Sequence, residues 1–195
     1  MNEIIFDIET QNTFADVNND FSKLKISCVS IYRYETGDYQ SFEEHELGKL
    51  WPILEKADRI IGYNSEHFDL PIMNNYYLGD LSKLAHLDLM TEVKKNLGFR
   101  LKLNDIAKAT LDNIEKSAEG LQAIRWWNEG KIDEIKKYCE QDVRVTKEVY
   151  DFGRKNKQLF YKSLTGEILP FRVDFSFPAA ASASANRNIN LTLPF

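Results

Sequence analysis

The N-terminal part of the sequence contains a short apolar run with two acids inside it, Ile4-Ile5-Phe6-Asp7-Ile8-Glu9-Thr10. Its β-branched and aromatic residues predict a buried strand, which we place at residues 2–8. Because side chains alternate across a strand, Asp7 and Glu9 point to one side while Phe6 and Ile8 face the opposite layer. Two carboxylates on one face repel each other, so they require either a solvent-exposed strand end or a cation between them.

Beyond this strand, the sequence alternates predicted strands and helices. Further strands are predicted at residues 25–34, 39–42, 58–62 and 87–89. Helices are predicted at residues 43–57, 68–77, 103–111, 120–127 and 132–155. We expect a terminal hairpin within residues 162–177, around Thr165-Gly166-Glu167. An antiparallel meander followed by strands that alternate with helices predicts an α/β fold, in which α-helices flank a mixed β-sheet.

The length and composition restrict the class of protein. A chain of 195 residues has room for one ordinary domain and a tail. From residue 178 onward the sequence consists mainly of Ala, Ser and Asn, so we expect one domain over 1–177 and a flexible tail over 178–195. The sequence has no apolar run of membrane-spanning length, no recognisable secretory signal and only two cysteines, Cys28 and Cys139. We therefore expect a reducing, cytoplasmic location.

The charges are distributed unevenly along the chain. Residues 1–90 carry 16 acids and 7 bases, although the net charge of the whole chain is only −5. The net acidity argues against a protein that coats nucleic acid non-specifically. A basic group follows in the second half and includes Lys94, Lys95, Arg100, Lys102 and Lys108. This group is either a solvated helix face or a surface that contacts phosphates.

Two further segments contain acids that a purely structural role does not readily explain. Asp69 follows a buried strand and a loop, at a point where it could act as a helix N-cap. Tyr138 and Asp142 are four residues apart, so they share one face of the predicted long helix. That face is largely apolar, and an ionised aspartate there needs a partner. A metal ion is one such partner.

Taken together, three distant segments supply a set of oxygen ligands, which comprises the carboxylates of Asp7, Glu9, Asp69 and Asp142 and the phenol of Tyr138. Such a set suits Mg²⁺ or Mn²⁺ better than zinc. The three histidines are scattered along the chain and predict no zinc site. The sequence contains neither a phosphate-binding GxxxxGK[ST] loop nor a GxGxxG fingerprint, so it gives no support to the corresponding nucleotide-binding sites.

At these residues the sequence resembles the tyrosine-type (DEDDy) 3′–5′ exonucleases of the ribonuclease H-like superfamily. The matching motifs are Asp7-x-Glu9, Tyr63-Asn64-x-x-x-Phe68-Asp69-x-Pro71 and Tyr138-x-x-x-Asp142. The second motif is especially similar to the proofreading domain of family B DNA polymerases. Lys137 stands where the histidine-type enzymes have histidine, and no polymerase domain follows the motifs. The resemblance therefore implies a stand-alone ribonuclease H-like exonuclease.

The resemblance also implies a mechanism. Two divalent ions, Mg²⁺ or Mn²⁺, would hydrolyse single-stranded or frayed DNA from its 3′ end to nucleoside 5′-monophosphates, in replication or repair. Asp7 would bridge both ions, Glu9 and Asp142 would hold the ion that activates water, and Asp69 would position the other ion mainly through water. Tyr138 would orient the attacking water.

Substrate contacts are predicted at Thr10, Asn64, Phe68 and Lys116. Asn64 would hydrogen-bond the terminal nucleotide and Phe68 would stack on it, although Phe68 is equally suited to the core. The Thr10 backbone would touch the terminal sugar, and Lys116 would contact phosphates. We interpret Trp126-Trp127 as packing against the long helix rather than as a base platform, and Asp88 as the end of a strand rather than a fifth ligand.

The C-terminal hexapeptide resembles the bacterial sliding-clamp-binding peptide. The residues that carry the resemblance, and that we predict to bind a partner, are Asn190, Leu191, Leu193, Pro194 and Phe195. A clamp would favour a DNA substrate, because it delivers enzymes to DNA by raising their effective concentration. The alternative is a tail that folds back onto the domain.

Two other functions stay open from the sequence. A 3′–5′ exoribonuclease would use the same carboxylates, and only contacts to the 2′ position would distinguish it from a DNA exonuclease. A catalytically silent module that docks nucleic acid or a clamp is the second alternative. The complete set of mutually repelling carboxylates argues against a silent module.

Overall fold

The computed structural model describes residues 1–111 and 121–177 of the chain. Five strands form one mixed sheet in the order β3-β2-β1-β4-β5. The strands are β1 (Glu3–Thr10), β2 (Ile26–Arg33), β3 (Asp38–Glu43), β4 (Arg59–Gly62) and β5 (His86–Asp88). β1, β2 and β3 pair antiparallel, whereas β4 and β5 run parallel to β1. The predicted mixed sheet flanked by helices is confirmed.

Six α-helices, three short 3-10 turns and a hairpin complete the described chain. The helices are α1 (Leu47–Leu54), α2 (Asp69–Met73), α3 (Leu89–Leu97), α4 (Leu103–Thr110), α5 (Leu121–Asn128) and α6 (Ile132–Asn156). The C-terminal hairpin consists of β6 (Gln158–Lys162) and β7 (Ile168–Arg172). No helix within residues 1–111 and 121–177 is long and apolar enough to cross a membrane. Lys116, the predicted tail over 178–195 and its terminal peptide lie outside the described residues.

Several element boundaries differ from the predictions for local reasons. The helix predicted over 43–57 begins with a 3-10 turn, Glu44–Glu46, and the helix predicted over 68–77 ends at Met73. The sequence pattern predicts no bounds for α3, although Asp88 caps its start and Gly98, with a φ of 81°, ends it. The hairpin begins earlier than predicted, because Lys157 adopts a left-handed conformation that ends α6 and turns the chain directly into β6.

The central strand β1 separates two hydrophobic cores. Ile4, Phe6 and Ile8 pack into the core that α1 and α2 cover. Ile5 points to the other side and packs into the core that contains Val145 and Val149 of α6. This alternation is the one predicted from the sequence, and it places the odd-numbered residues of β1 beneath α6.

A buried polar network fixes α6 to the beginning of β1. Glu3 is 2% exposed, and its carboxylate accepts hydrogen bonds from Arg59 Nε (3.0 Å), the Tyr150 hydroxyl (2.9 Å) and Arg154 (2.8 Å). Arg59 also donates to the backbone carbonyl of Phe175 (3.0 Å). Because a buried carboxylate is stable only when it is paired and hydrogen-bonded, Glu3 requires these partners from β4 and α6. The network therefore fixes the position of α6 and the segment after β7 relative to the sheet.

Replacement of Arg59 by methionine is expected to lower the free energy of unfolding by about 3 kcal/mol, because Glu3 loses a buried charged partner. Lys49→Ala is the control, since it removes an ion pair whose lysine is exposed and should cost less than about 1 kcal/mol. Urea denaturation of the wild type and both variants measures the difference. Equal effects of the two substitutions would contradict the structural role of the network.

Candidate active site

Two acids of the site lie at the end of β1, on the face covered by α6. The residues of β1 pair regularly with β2 up to Glu9, after which the register shifts and Thr10 pairs with Ile26. Such a bulge redirects the strand locally, and it ends the regular ladder beside the acids. The thiol of Cys139 donates a hydrogen bond to the carbonyl oxygen of Asp7 over 3.3 Å and lies 3.7 Å from its carboxylate.

The third acid comes from α6. Asp7, Glu9 and Asp142 each offer a carboxylate oxygen, and these three atoms lie within 4.8 Å of one another. Tyr138, one helical turn before Asp142, forms a side-chain hydrogen bond with it. The ring of Trp126 packs edge-on against Tyr138, with 6.0 Å between ring centroids. The predicted convergence of β1 and α6 is thus present in the structure.

Asp69 lies beside this trio rather than within it. It is the first residue of α2 and is 3% exposed, and its carboxylate accepts hydrogen bonds from its own backbone N–H and from that of Ile8. The N-cap position of α2 is occupied by Phe68, so the alternative role of Asp69 as a cap is wrong. Asp69 faces the same pocket as the other three acids, and its negative charge raises the pKa of Asp7.

The four carboxylates of the site lie close together and repel one another. Burial, followed by the charges of the neighbouring acids, raises the pKa of Asp7 and that of Glu9 well above their ordinary values. Burial also raises the pKa of Asp69 to about 7 and that of Asp142 to about 6. Within the described ranges, none of the four forms an ion pair with a lysine or arginine. A divalent cation would remove this repulsion.

The four acids line a pocket of about 320 Å³. Of the predicted substrate contacts, Thr10, Asn64 and Phe68 line it as well. Phe68 is half-buried and also packs against the core, so both of its proposed roles are compatible with its position. Trp126 and Trp127 pack with residues of α5 and α6, as expected.

Asp88 organises the loop that carries Asn64. Its carboxylate accepts hydrogen bonds from the backbone N–H groups of Asn64 (2.8 Å), Glu66 (3.0 Å) and Met90 (2.9 Å). Asn64 adopts a φ of +64°, which is uncommon outside glycine and places its side chain at the pocket. Asp88 does not belong to the acidic trio, in agreement with its predicted structural role.

Several residues of this site are not predicted from the sequence. They are Cys139, which contacts Asp7, and three residues that line the pocket, Phe14, Leu121 and Ile124. Cys139 directly follows Tyr138, so its position in the third motif was a usable signal. The other three lie on segments whose placement depends on packing and leaves no motif in the sequence.

A family model of the RNase H superfamily (RNase_H_2) matches residues 4–152. The chain belongs to the ribonuclease H superfamily. Among solved structures, the chain is similar to the family B DNA polymerase from the hyperthermophilic archaeon Pyrobaculum calidifontis, with a TM-score of 0.62 and 18% sequence identity. The match covers 78% of this chain and 24% of the polymerase, so the two share a fold over a limited part of the polymerase. No curated protein matches the chain.

The residues of the site fit the divalent metals that this fold commonly uses. All ligands are carboxylate oxygens, which are preferred by Mg²⁺ and Mn²⁺. Asp7, Glu9 and Asp142 would hold a metal directly, and Asp69 is placed to contribute from the adjacent wall.

The stability of the metal-free protein is expected to fall as the pH rises from 5 to 8. In the folded protein, the pKa of Asp69 is raised to about 7 and that of Asp142 to about 6, against an ordinary value of 3.8. Between pH 3.8 and these raised values, the folded state therefore binds more protons than the unfolded state. The stability that this protonation gives to the folded state is present at low pH and is lost as the pH rises through the folded pKa values. We expect a loss on the order of 2 kcal/mol in EDTA, which Mg²⁺ at pH 8 reverses.

Denaturation curves at both pH values, with EDTA or Mg²⁺, measure this loss. Asp142→Asn is the informative comparison, because it removes one repelling charge and should reduce both the pH dependence and the effect of Mg²⁺. An unchanged pH dependence in Asp142→Asn would contradict the assignment of the loss to the acidic site.

Proposed function

We propose that this protein is a metal-dependent 3′–5′ exonuclease that hydrolyses single-stranded or frayed DNA to nucleoside 5′-monophosphates. The observation that carries the proposal is the meeting of Asp7, Glu9 and Asp142 in one pocket, with Asp69 and Tyr138 on its walls. Membership of the ribonuclease H superfamily supports a nuclease. The similarity of the three motifs to tyrosine-type exonucleases supports attack at a 3′ end.

Each residue of the pocket has a distinct task in this proposal. Bound Mg²⁺ or Mn²⁺ would supply a nucleophilic water at neutral pH and stabilise the leaving oxygen. Asp7, Glu9 and Asp142 would hold the metals. Asp69, which follows β4 at the start of α2, would help to hold them from that side of the pocket. Tyr138 lines the pocket and its side chain hydrogen-bonds with Asp142, which supports a role in orienting the attacking water.

The terminal nucleotide would occupy the 320 Å³ pocket itself. Asn64 is held at the pocket by the Asp88 hydrogen bond to its backbone, which leaves its side-chain amide available to a base or sugar. Phe68 presents an aromatic ring at the same wall, where it would stack on the base. Lys116 stays a proposed phosphate contact from the sequence alone.

The choice between DNA and RNA depends on contacts to the 2′ position. We favour DNA because the second motif resembles the proofreading domain of a DNA polymerase family, and we propose a role in replication or repair on the same ground. A catalytically silent docking module is disfavoured because the neighbouring acids raise the pKa of Asp7 and of Glu9, and this repulsion destabilises a protein that has no use for the carboxylates.

In the decisive experiment, 5′-labelled single-stranded DNA and RNA of matched sequence are incubated with the protein in Mg²⁺, Mn²⁺ or EDTA. We expect the DNA to shorten from its 3′ end only when metal is present. Asp7→Ala should lower the rate at least about a thousandfold, because it removes a ligand of the metals that stabilise the transition state.

Asp133→Ala provides the matched control, since Asp133 is an exposed aspartate in the first turn of α6. This variant should retain the wild-type rate. Faster degradation of the RNA would favour the exoribonuclease, and metal-independent binding of DNA without any cleavage would favour the docking module.

We also propose that the C-terminal peptide binds a bacterial sliding clamp, on the strength of its sequence alone. Deletion of residues 190–195 should abolish binding of the protein to an immobilised clamp while short oligonucleotides are still degraded at the wild-type rate. Arg187→Ala, in the same segment but outside the peptide, is the control. Clamp binding that survives the deletion would exclude this partner site.

A further inference from the structure

Helix α3 leads away from the active-site pocket and exposes only polar side chains. It begins directly after Asp88, whose carboxylate binds the backbone of Asn64 at the pocket, and it ends at Gly98. Its nine residues span about 13 Å. The exposed residues of α3 are Thr91, Lys94, Lys95 and Asn96. Part of the basic group of the sequence therefore lies on this helix.

Two cations of the loop after α3 lie near the pocket. The Leu101 carbonyl accepts a hydrogen bond from the Tyr63 hydroxyl over 2.9 Å, and Tyr63 lines the active-site pocket. Lys102 follows Leu101 directly, and Arg100 lines a cavity together with Phe68, which also lines the pocket. Both cations are exposed, and neither forms an ion pair with an acid of residues 1–111 or 121–177. Arg100 and Lys102 are the proximal cations.

Three further cations meet at the other end of α3. Lys95, Lys157 and Arg172 line a cavity of about 700 Å³ at the base of the hairpin, where the ends of α3 and α6 meet the end of β7. Two acids also line it: Glu92 pairs with Lys95 over 3.5 Å, and Asp174 accepts a hydrogen bond from the backbone two residues later. Three cations against two acids leave the cavity positive. Lys95, Lys157 and Arg172 are the distal cations.

The charge around the pocket is asymmetric. Residues 89–108, which comprise α3, the loop after it and most of α4, carry five bases and two acids. Residues 11–25, which connect β1 with β2 and form another part of the pocket wall, carry two bases and two acids. A polyanion that has one end in the pocket is therefore attracted to the α3 side.

We propose that α3, with the proximal and distal cations, is a docking surface for the double helix of DNA behind a frayed 3′ end. The inference rests on the proposed exonuclease function and extends it to the paired part of the substrate. A double helix carries its phosphates at fixed spacing, and about four base pairs match the length of α3. A duplex that lies along α3 brings phosphates to both groups of cations while its unpaired 3′ end enters the pocket.

The chemistry of the surface favours a duplex over an unpaired strand. Proteins that bind unpaired strands offer aromatic rings on which the bases stack, and α3 contains no aromatic residue. Lysine and arginine side chains instead contact phosphates, which fixes the position of a duplex without reading its sequence. Such contacts suit an enzyme that must accept every sequence.

Three DNA substrates test the surface. The first is a trinucleotide, the second is a hairpin with the same three nucleotides as its 3′ overhang, and the third is an unpaired strand as long as the hairpin. Release of the terminal nucleotide in Mg²⁺ is measured as kcat and KM at several KCl concentrations. Binding of the labelled hairpin in EDTA, followed by fluorescence anisotropy, is measured separately from cleavage.

The distal variant, Lys95→Gln/Lys157→Gln/Arg172→Gln, removes the three positive charges at the base of the hairpin. At low salt we expect it to raise KM for the hairpin substrate about tenfold, with little change in kcat and no change in KM for the trinucleotide. The dependence of log(kcat/KM) on log[KCl] should become less steep by about one for each cation removed. Lys95→Arg/Lys157→Arg/Arg172→Lys should retain the low KM, because it keeps the charges.

The matched control is Lys49→Gln/Lys56→Gln/Lys83→Gln, which removes three exposed lysines away from α3. Lys49 lies in α1, Lys56 follows α1, and Lys83 lies in the 3-10 turn before β5. This variant has the same net charge as the distal variant and should keep the wild-type KM and salt dependence for the hairpin substrate.

The possible failures are distinguishable. Equal effects of the distal and control variants, or unchanged hairpin binding by the distal variant in EDTA, would overturn the surface while leaving the exonuclease intact. Equal effects of the distal variant on the hairpin and on the long unpaired strand would overturn the assignment to a duplex. Absence of metal-dependent cleavage of every substrate by the wild type would overturn the exonuclease and, with it, the placement of the frayed end.

Discussion

The mutual repulsion of the carboxylates at the end of β1 is the constraint on which the rest of the structure depends. Asp7 lies four positions after Glu3 on β1, a rise of about 13 Å, and Tyr150 lies eight positions after Asp142 on α6, a rise of about 12 Å. The lengths match, so α6 lies along β1 with Tyr150 at Glu3 and Asp142 at Asp7. The hydrogen-bonded network around Glu3 at one end of β1 and α6 therefore holds the repelling carboxylates together at the other end.

The opposite wall of the site is held by hydrogen bonds rather than by packing alone. β4 ends at Gly62, where any Cβ would lie 2.5 Å from the hydroxyl of Ser65, so the tight turn after the strand requires glycine there. Asp88, at the end of the neighbouring parallel strand, then binds the backbone of Asn64 and Glu66. These contacts bring the start of α2, and with it Asp69, to the end of β1.

The sequence predicts those side-chain positions that are determined by local backbone geometry. Alternation along β1 predicts that Asp7 and Glu9 share a face, and helical spacing predicts that Tyr138 and Asp142 do. Neither pattern predicts that Asp69 lies outside the trio, because its position depends on the β4–α2 turn and on the Ile8 backbone. The role of Phe14 likewise depends on the folded connection between β1 and β2, whose hydrogen bonds leave no periodicity in the sequence.

In an acidic pocket that binds a polyanion, the carboxylates that bind metal must be separate from the side chains that bind the nucleic acid strand. A lysine or arginine beside Asp7 would pair with the carboxylates and compete with the metal, and a metal-free site with such a pair would be less strained. Aromatic rings do not compete in this way, because they bind a base without altering the charge at the ligands. The proposed stacking of a base on Phe68 at the wall of the pocket follows this division. It also explains how a protein with a net charge of −5 is compatible with a nucleic acid substrate.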